Sequence, residues 1–261
     1  MATLKRRFVN ALGRFFDLTV VRHGNVAPLL EQEHLKRFLS EFEIDCVFDV
    51  GANSGQYAEM LREIGYRGAI VSFEPIPSLA ADMRKKAQRD GKWFIEECAL
   101  DDAERIVPFK IMNSSQFSSL KDPSHQETAL FIDQNAVAET IDLQTVRLER
   151  WYAVYRDRIR FNRAFLKMDT QGNDIAVARS AGSYLSKFVG LQSELAIKKI
   201  YASSENYRTA LDFYTDAGFE LSALVPNNYG HFPVLVEIDC IMYNKRFSRT
   251  SLRHRLSTRD A

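Results

Sequence analysis

The segment CVFDVGANSGQY, residues 46–57, constrains the fold more than any other part of the chain. An apolar run ends in an acid, Asp49, and then gives way to two glycines with an asparagine between them. Residues 46–51 have the composition of a short buried strand, and residues 54–64 carry apolar residues at helical spacing. The segment therefore predicts a strand, a tight turn and a helix, which together form the first unit of an α/β sheet.

The same alternation of strands and helices continues along the chain, with short links between the elements. The further predicted strands are 69–75, 93–100, 106–113, 164–172 with its glycine turn, and 189–196, and the further predicted helices are 29–42, 78–89, 174–186 and 205–217. Residues 219–226 and 234–244 predict a closing hairpin. The order indicates an α/β fold: a mostly parallel sheet with helices on both faces and an antiparallel last strand.

The composition fits one domain with its own core, because hydrophobic residues make up 46% of the 261 residues. Charges nearly cancel, at +1, so the chain has no global field for nucleic acid. The three cysteines, Cys46, Cys98 and Cys240, are widely spaced in apolar runs, which favours buried thiols in a reducing cytosol over a disulfide or metal framework. The sequence contains no run of about 18 apolar residues and no signal-peptide core, which predicts a cytoplasmic location.

The turn that follows the first strand is the candidate ligand site, because open α/β sheets bind ligands at the carboxyl ends of their strands. A dinucleotide fingerprint would start at Gly51, but Asn53 and Gln56 occupy its second and third glycine positions. The Lys-Ser/Thr pair of a phosphate loop is also missing from the turn. With Asp49 at the strand end, the turn repels phosphate and favours a cationic ligand with an amine. S-adenosylmethionine has a sulfonium, an amino group and no phosphate.

A second acid, Glu74, ends the next predicted strand. It follows Gly51 by about 20 residues, the interval expected for an acid that binds ribose hydroxyls. Ala99 and Leu100 end the third predicted strand, at the position that would face an adenine ring. The predicted cofactor-binding residues are Asp49, Gly51, Asn53, Gly55, Tyr57, Glu74, Pro75, Ala99 and Leu100.

Residues 49–57, followed by Ser-Phe-Glu-Pro at 72–75, resemble the opening of the FkbM family of S-adenosylmethionine-dependent methyltransferases. Three later segments are also similar to that family: 113–120, 166–174 with its Lys-x-Asp-x-x-Gly element, and 192–194. One departure is Asp174, where the family usually has Glu. The resemblance extends over residues 46–244 and implies a class I methyltransferase (Rossmann-like) fold, S-adenosylmethionine as cofactor, and O-methylation of a sugar, glycan or other secondary metabolite.

Methyl transfer to a hydroxyl needs alignment of the reactants and a group that takes the proton. Asp169 ends a strand beside the donor site and is the first candidate, as a base, a metal ligand or an anchor; the alternative is a helix cap. Glu194 ends the next strand, and its alternative role is an ion pair with Lys198 or Lys199. His231, in the last loop, is the third candidate, and its alternative is a solvated loop histidine.

A metal is a further alternative for the site. The sequence shows no His/Cys cluster with the spacing of a zinc site. If the enzyme uses a hard cation such as Mg²⁺, Asp169 and Glu194 would hold it. The polar stretch 113–127 has no clear period and is interpreted as a loop and lid, whereas residues 140–152 mix strand and helix character.

The pattern divides the chain into an N-terminal helical extension, 1–44, a catalytic domain, 45–245, and a basic, disordered tail, 246–261. Residues 4–16 place apolar residues on one stripe of a basic helix. This helix either docks on the catalytic domain or makes peripheral contact with the inner face of an anionic membrane.

Two other functions are compatible with the same fold. An NAD(P)-dependent oxidoreductase would have the same kind of sheet, but the second and third glycines of the dinucleotide fingerprint are missing here, which argues against this function. A non-catalytic protein would bind the cofactor or a glycan without transferring a methyl group. The expected partner is therefore a carbohydrate or another hydroxyl-bearing acceptor, and no nucleic acid is expected.

Overall fold

The computed structural model describes residues 26–226 and 231–248. Its α-helices are α1 Val26–Glu41, α2 Gln56–Glu63, α3 Pro77–Asp90, α4 Leu148–Ile159, α5 Asp174–Ser180 and α6 Tyr207–Asp216. Its strands are β1 Cys46–Val50, β2 Ala69–Phe73, β3 Trp93–Glu96, β4 Ala99–Leu100, β5 Ile106–Met112, β6 Val137–Val146, β7 Ala164–Met168, β8 Phe188–Ala196, β9 Phe219–Pro226 and β10 Glu237–Asn244. Short 3₁₀ helices cover Ser115–Phe117, Gly182–Lys187 and Lys245–Phe247.

Seven strands form the main sheet, in the order β3-β2-β1-β7-β8-β10-β9. β1 pairs in parallel with β2 and β7, β7 pairs in parallel with β8, and β10 runs antiparallel to both of its neighbours. The predicted fold class, with its antiparallel last strand, is therefore confirmed. The strand order reverses between β1 and β7, which is where a sheet of this kind opens a crevice for ligands.

The central strands β1 and β7 are buried along their whole length. Their apolar composition follows from this position, because helices cover both faces of a parallel sheet. Phe48 and Leu166 pack on one face with α4, and Val47 and Phe165 pack on the other with α1 and α2. Phe38 of α1 meets the ring of Phe165 edge-on, at a centroid distance of 5.3 Å. Helix α1 is therefore part of the core and fixes one side of the sheet.

The prediction of a single strand at 93–100 is wrong. β3 pairs with β2 only as far as Glu96, because β2 ends at Phe73 and the proline at position 75 has no N–H to continue the ladder. Ala99–Leu100 pairs instead with β6, in a separate three-stranded sheet of order β4-β6-β5. The mixed stretch 140–152 contains the end of β6 and the start of α4.

Two of the helix boundaries that differ from the prediction are set by glycines. α2 begins at Gln56 rather than at residue 54, because Gly55 precedes it with a left-handed φ of +86°. α5 ends at Ser180, and a 3₁₀ helix that starts at Gly182, with a φ of +53°, covers the rest of the predicted 174–186. Both differences come from glycines in a conformation that an α-helix does not use.

The basic helix predicted at residues 4–16 and the tail from residue 249 onward lie outside the described residues. The boundaries of the predicted extension, catalytic domain and tail remain predictions. Among the helices of the described residues, none combines the length and the apolar character needed to cross a membrane.

Candidate active site

A cleft of about 300 Å³ opens at the carboxyl ends of β1, β2, β7 and β8. It lies where the strand order reverses, as expected for a ligand site in this architecture. Eight of the predicted site residues line it: Gly51, Asn53, Glu74, Pro75, Ala99, Leu100, Asp169 and Glu194. None of the described residues that line it is a lysine or an arginine. The cleft therefore favours a cation and offers no counter-charge to a phosphate.

Gly51 occupies the closest approach between the ends of β1 and β7. Its φ is +74°, and a Cβ at this position would lie 1.9 Å from the carbonyl oxygen of Asp169. The backbone N–H groups of Gly51 and Ala52 both donate to the carbonyl of Phe73, at 3.1 Å. Only glycine fits this position, and the turn is clamped between the ends of β2 and β7.

Gly55, the second glycine of the turn, does not line the cleft. A Cβ there would lie 2.7 Å from the indole ring of Trp93. Its left-handed φ of +86° also starts helix α2. The structure therefore gives Gly55 a packing role beneath the turn.

Glu74 is 4% exposed and is held by the backbone of the turn. Its Oε2 accepts the N–H of Asn53 and its Oε1 accepts the N–H of Ile76, both at 2.8 Å. Burial raises the pKa of Glu74 to about 7, although the two N–H donors and Lys167 act in the opposite direction. Each carboxylate oxygen has a second lone pair, so the group can also accept a hydrogen bond from a ligand hydroxyl.

Asp49 and Tyr57 form part of a buried polar layer beneath the turn and do not line the cleft. The strand register places Asp49 beside Lys167 of β7 and Ser72 of β2. Lys167 Nζ lies 3.1 Å from Asp49 Oδ1, and the Ser72 hydroxyl donates to Oδ2. The ammonium also donates to the carbonyl of Gly51 and lies 5.2 Å from the centroid of the Tyr57 ring. Burial disfavours the charged amine, but the nearby carboxylates, Asp49 first and then Asp169, together outweigh it, so the pKa of Lys167 is raised.

Asp169 and Glu194 come together through the side chain of Gln171. Its Nε2 donates to Asp169 Oδ1 at 2.9 Å and to Glu194 Oε2 at 2.7 Å. The amide nitrogen of Gln171 faces the two acids, and its oxygen accepts a hydrogen bond from the Tyr201 hydroxyl at 2.7 Å. The two predicted acids are thus held in one array with a fixed orientation.

The two acids have different surroundings. Burial, followed by the charges of Glu237 and Asp169, raises the pKa of Glu194 well above its ordinary value. The side chain of Asp169 remains 39% exposed. The site therefore combines an accessible acid with one that keeps its proton to higher pH.

Asp174 fixes the turn that carries the array. Its Oδ1 accepts the N–H of Thr170 at 2.8 Å, and its Oδ2 accepts the N–H of Glu194 at 3.0 Å. Oδ2 also accepts the hydroxyl of Ser193. Asp174 therefore joins the end of β7 to β8, which gives a structural role to the position where the sequence departs from the family pattern.

The predicted lid, whose first residues are 113–120, forms one wall of the cleft. The Ser115 hydroxyl accepts a hydrogen bond from Asn53 Nδ2 at 3.1 Å. The Ser119 hydroxyl donates to the backbone carbonyl of Gln171 at 2.7 Å. This wall is therefore attached to the glycine turn at one end and to the acid array at the other.

Phe117 and Phe131 line the cleft, and their ring centroids are 5.2 Å apart. His231, the third predicted catalytic residue, packs edge-on against Phe131, also at 5.2 Å. His231 does not line the cleft. One aromatic ring separates it from the ligand space, so among the three candidates the cleft contains Asp169 and Glu194.

Within the described residues, no group of three or more His, Cys, Asp or Glu side chains is arranged as a metal site. Asp169 and Glu194, the conditional ligands for Mg²⁺, are joined instead by the amide of Gln171. Mg²⁺ is therefore not supported as a cofactor.

Three residues around the acids have no role in the sequence-based prediction: Gln171, Tyr201 and Glu237. Gln171 lies inside the Lys-x-Asp-x-x-Gly element. A polar residue next to a glycine in a turn at a strand end could have marked it as a site residue from the sequence. Tyr201 follows β8 and Glu237 starts β10. Glu237 comes close through the pairing of β10 with β8, and Tyr201 through the pairing of β8 with β7, and no local pattern indicates either.

Comparison with known families and structures gives two kinds of match. Residues 49–221 match the family described as the methyltransferase FkbM domain. Fibrillarin from Aeropyrum pernix, in complex with S-adenosyl-L-methionine, is 14% identical, with 76% of this chain aligned to 66% of that one and a TM-score of 0.42. Magnesium protoporphyrin IX methyltransferase from Synechocystis PCC 6803, with bound S-adenosylmethionine, is 9% identical, with 91% of each chain aligned and a TM-score of 0.45. This chain therefore spans just under two thirds of fibrillarin. No curated protein matches.

Proposed function

The chain belongs to the family of FkbM methyltransferase domains, and from this premise we propose that it O-methylates a hydroxyl group of a sugar or glycan. The matched residues, 49–221, contain the glycine turn and both acids of the array. Methyl transfer that depends on S-adenosylmethionine is the chemistry of this protein.

The half of the cleft formed by β1, β2 and β4 suits S-adenosylmethionine. Glu74 presents carboxylate oxygens for the ribose hydroxyls, and Ala99 and Leu100 present apolar surface for the adenine. The turn at Gly51 and Asn53 leaves space for the amino-acid moiety. When bound, the cofactor supplies a methyl group on a cationic sulfur, and no lysine or arginine among the described lining residues opposes that charge.

The acid array at the ends of β7 and β8 is the observation that carries the proposal. Its carboxyl groups accept hydrogen bonds from hydroxyls. Phe117 and Phe131, in the same cleft, offer ring faces against which the C–H face of a sugar can pack. A few placed polar groups beside aromatic side chains are typical of a small-molecule site, and here both kinds of group suit a polyhydroxylated acceptor.

We assign proton transfer to Asp169. Its side chain is accessible, and Gln171 binds only Oδ1, which leaves Oδ2 for the acceptor hydroxyl. Lys167 Nζ lies 3.7 Å from Oδ2 and places a positive charge beside the oxygen that faces the acceptor. Asp169 takes the hydroxyl proton as the acceptor oxygen becomes methylated, so the new ether carries no charge.

Glu194 has a complementary role as an anchor. Because its pKa is raised, Glu194 keeps a proton to higher pH than an ordinary glutamate. A protonated carboxyl both donates and accepts, which suits it to hold a second hydroxyl of the same acceptor.

The proposal is tested by calorimetric titration with S-adenosylmethionine and by transfer of a labelled methyl group to a glycan fraction. We expect Asp169→Asn to keep its affinity for the cofactor and to lose about a hundredfold or more in transfer rate, because it removes the proton acceptor. Asp212→Asn is the matched control, because Asp212 is an exposed acid on α6 outside the cleft. Label recovered as an amine or a base-labile ester, rather than as a methyl ether, would contradict the proposal.

A further inference from the structure

An exposed apolar cluster lies next to the aromatic wall of the cleft. Its members are exposed side chains close in the chain to Phe131 and His231, whose rings are in contact. We call this cluster the rim, and it consists of Leu130, Ile132, Phe232 and Val234. Leu130 and Ile132 flank Phe131 in the chain, and Phe232 follows His231. Phe232 is 96% exposed, which is unusual for a phenylalanine because burial of its ring is strongly favourable.

The rim is continuous with the inside of the cleft. The rings of Phe117, Phe131 and His231 are in sequential contact, with centroids 5.2 Å apart at each step. Phe117 and Phe131 also pack against a small core that contains Met112 and Val236. A row of packed rings therefore leads from the cleft to the chain neighbours of the rim, and its two phenylalanines rest on their own core.

Two exposed apolar residues on other strands differ from the rim. Ile106, on β5, is 72% exposed, and Leu221, on β9, is 46% exposed, but neither lines the cleft or belongs to the small core beneath the aromatic rings. Isolated exposed hydrophobic residues are normal on a protein surface, whereas a contiguous apolar surface beside a ligand site marks a binding surface.

We propose that the rim binds an apolar aglycone of the acceptor, so that the acceptor is an amphiphile whose sugar enters the cleft. The inference rests on the proposed function, because it takes the sugar as the part that reaches the acids. A single molecule can cover both regions because the aromatic surface joins them. A partner protein fits this position less well, since it would cover the entrance that the acceptor uses.

The test uses n-alkyl glucosides from methyl to octyl, below their micelle concentrations. They are titrated into the full chain saturated with S-adenosylhomocysteine. A fully buried methylene raises affinity about fourfold, so we expect octyl glucoside to bind at least about tenfold more tightly than methyl glucoside even if the chain is only partly covered. The ratio compares ligands with one headgroup, and it therefore does not require glucose to be the natural sugar.

Phe232→Ser is the diagnostic variant, and Ile106→Ser is its matched control on β5. Both positions are exposed, so neither change is expected to disturb folding. We expect Phe232→Ser to remove most of the chain-length gain and to leave the binding of methyl glucoside and S-adenosylhomocysteine unchanged. In Ile106→Ser, affinity should still rise with alkyl chain length as in the wild type.

Equal affinity for all chain lengths would overturn the inference, and so would a gain that survives Phe232→Ser. Light scattering that shows a dimer dispersed by Phe232→Ser would reassign the rim to a second copy of the chain. Retention on lipid vesicles that is lost in the same variant would reassign it to a membrane surface. A chain-length gain without methyl transfer to any sugar would support the rim and count against the proposed function alone.

Discussion

The two halves of the cleft are built by different means. On the cofactor half, backbone groups fix the site. Gly51 lies between the carbonyls of Phe73 and Asp169, and Glu74 accepts hydrogen bonds from two backbone N–H groups. On the acceptor half, side chains hold side chains: Gln171 joins Asp169 to Glu194 and is itself backed by Tyr201. A backbone site needs a few consecutive residues, whereas a side-chain site needs elements that are far apart in the chain.

Lys167 connects the two halves and gives the largest predicted effect. Its ammonium contacts Asp49 and the Gly51 carbonyl on one side and Asp169 on the other. In Lys167→Met, Asp49 would stay fully buried without its partner. We expect the free energy of unfolding, measured by urea denaturation, to fall by about 3–5 kcal/mol.

The control for this prediction removes both charges. Replacing Lys167 by Met and Asp49 by Leu leaves no unpaired ion, and we expect the double variant to recover most of the loss. If Lys167→Met alone stayed within about 1 kcal/mol of the wild type, the ion pair would not be what joins the halves.

Gly51→Ala tests the cofactor half. The new Cβ would meet the Asp169 carbonyl at 1.9 Å, in a backbone conformation with a φ of +74°. Clash and strain together should lower the free energy of unfolding by about 2–4 kcal/mol and abolish binding of S-adenosylmethionine.

Gly65→Ala separates strain from clash. Gly65 has a φ of +100°, and a Cβ there meets no atom within 4 Å. We expect this variant to lose only about 1–2 kcal/mol and to keep cofactor binding. If both variants lost the same free energy of unfolding, the turn at Gly51 would have moved to relieve the clash, and its position would not be fixed by the ends of β2 and β7.

The same difference explains how much of the site the sequence predicts. Gly51, Asn53 and Glu74 follow from a strand, a turn and a known interval, and all three line the cleft. Asp49 is interpreted from the sequence as a contact for a cation, yet the structure buries it against Lys167. That pairing depends on the register between β1 and β7, which local spacing does not reveal.

Prediction of the fold from the sequence is limited in the same way. The periodic elements of the main sheet are predicted within a few residues, because their burial pattern is local. The strand at 93–100 is misread because its end depends on where its neighbour β2 stops. Glu237 reaches the acceptor half through the pairing of β10 with β8, and Tyr201 through the pairing of β8 with β7, and neither pairing is local.

Gln171→Leu tests the acceptor half. Leucine is unbranched at Cβ like glutamine, so the left-handed φ of +53° costs both residues a similar strain, but the amide donors to the two acids are lost. We expect methyl transfer to fall by about ten- to a hundredfold, since Asp169 is no longer oriented, while the affinity for S-adenosylmethionine stays unchanged.

Ser119→Ala is the matched control, because Ser119 binds the backbone carbonyl of Gln171 and not its side chain. It should keep most of the transfer rate, measured on the same glycan fraction as for the wild type. If Gln171→Leu weakened cofactor binding as much as methyl transfer, the two halves of the cleft would not act separately.

The smallest effect concerns pH and Glu74. With a pKa of about 7, the carboxyl is mostly protonated below that pH, and it must lose its proton to accept two ribose hydroxyls. Affinity for S-adenosylmethionine should therefore rise about tenfold from about pH 6 to about pH 8 and then level off.

The measured quantity is the ratio of wild-type affinity to that of Glu74→Gln at each pH, which cancels any titration of the ligand itself. Gln171→Leu should follow the wild-type curve, because its change lies in the other half of the cleft. A ratio that stays flat across this range would place the ribose away from Glu74, and the backbone-held acid would lose its role in cofactor binding.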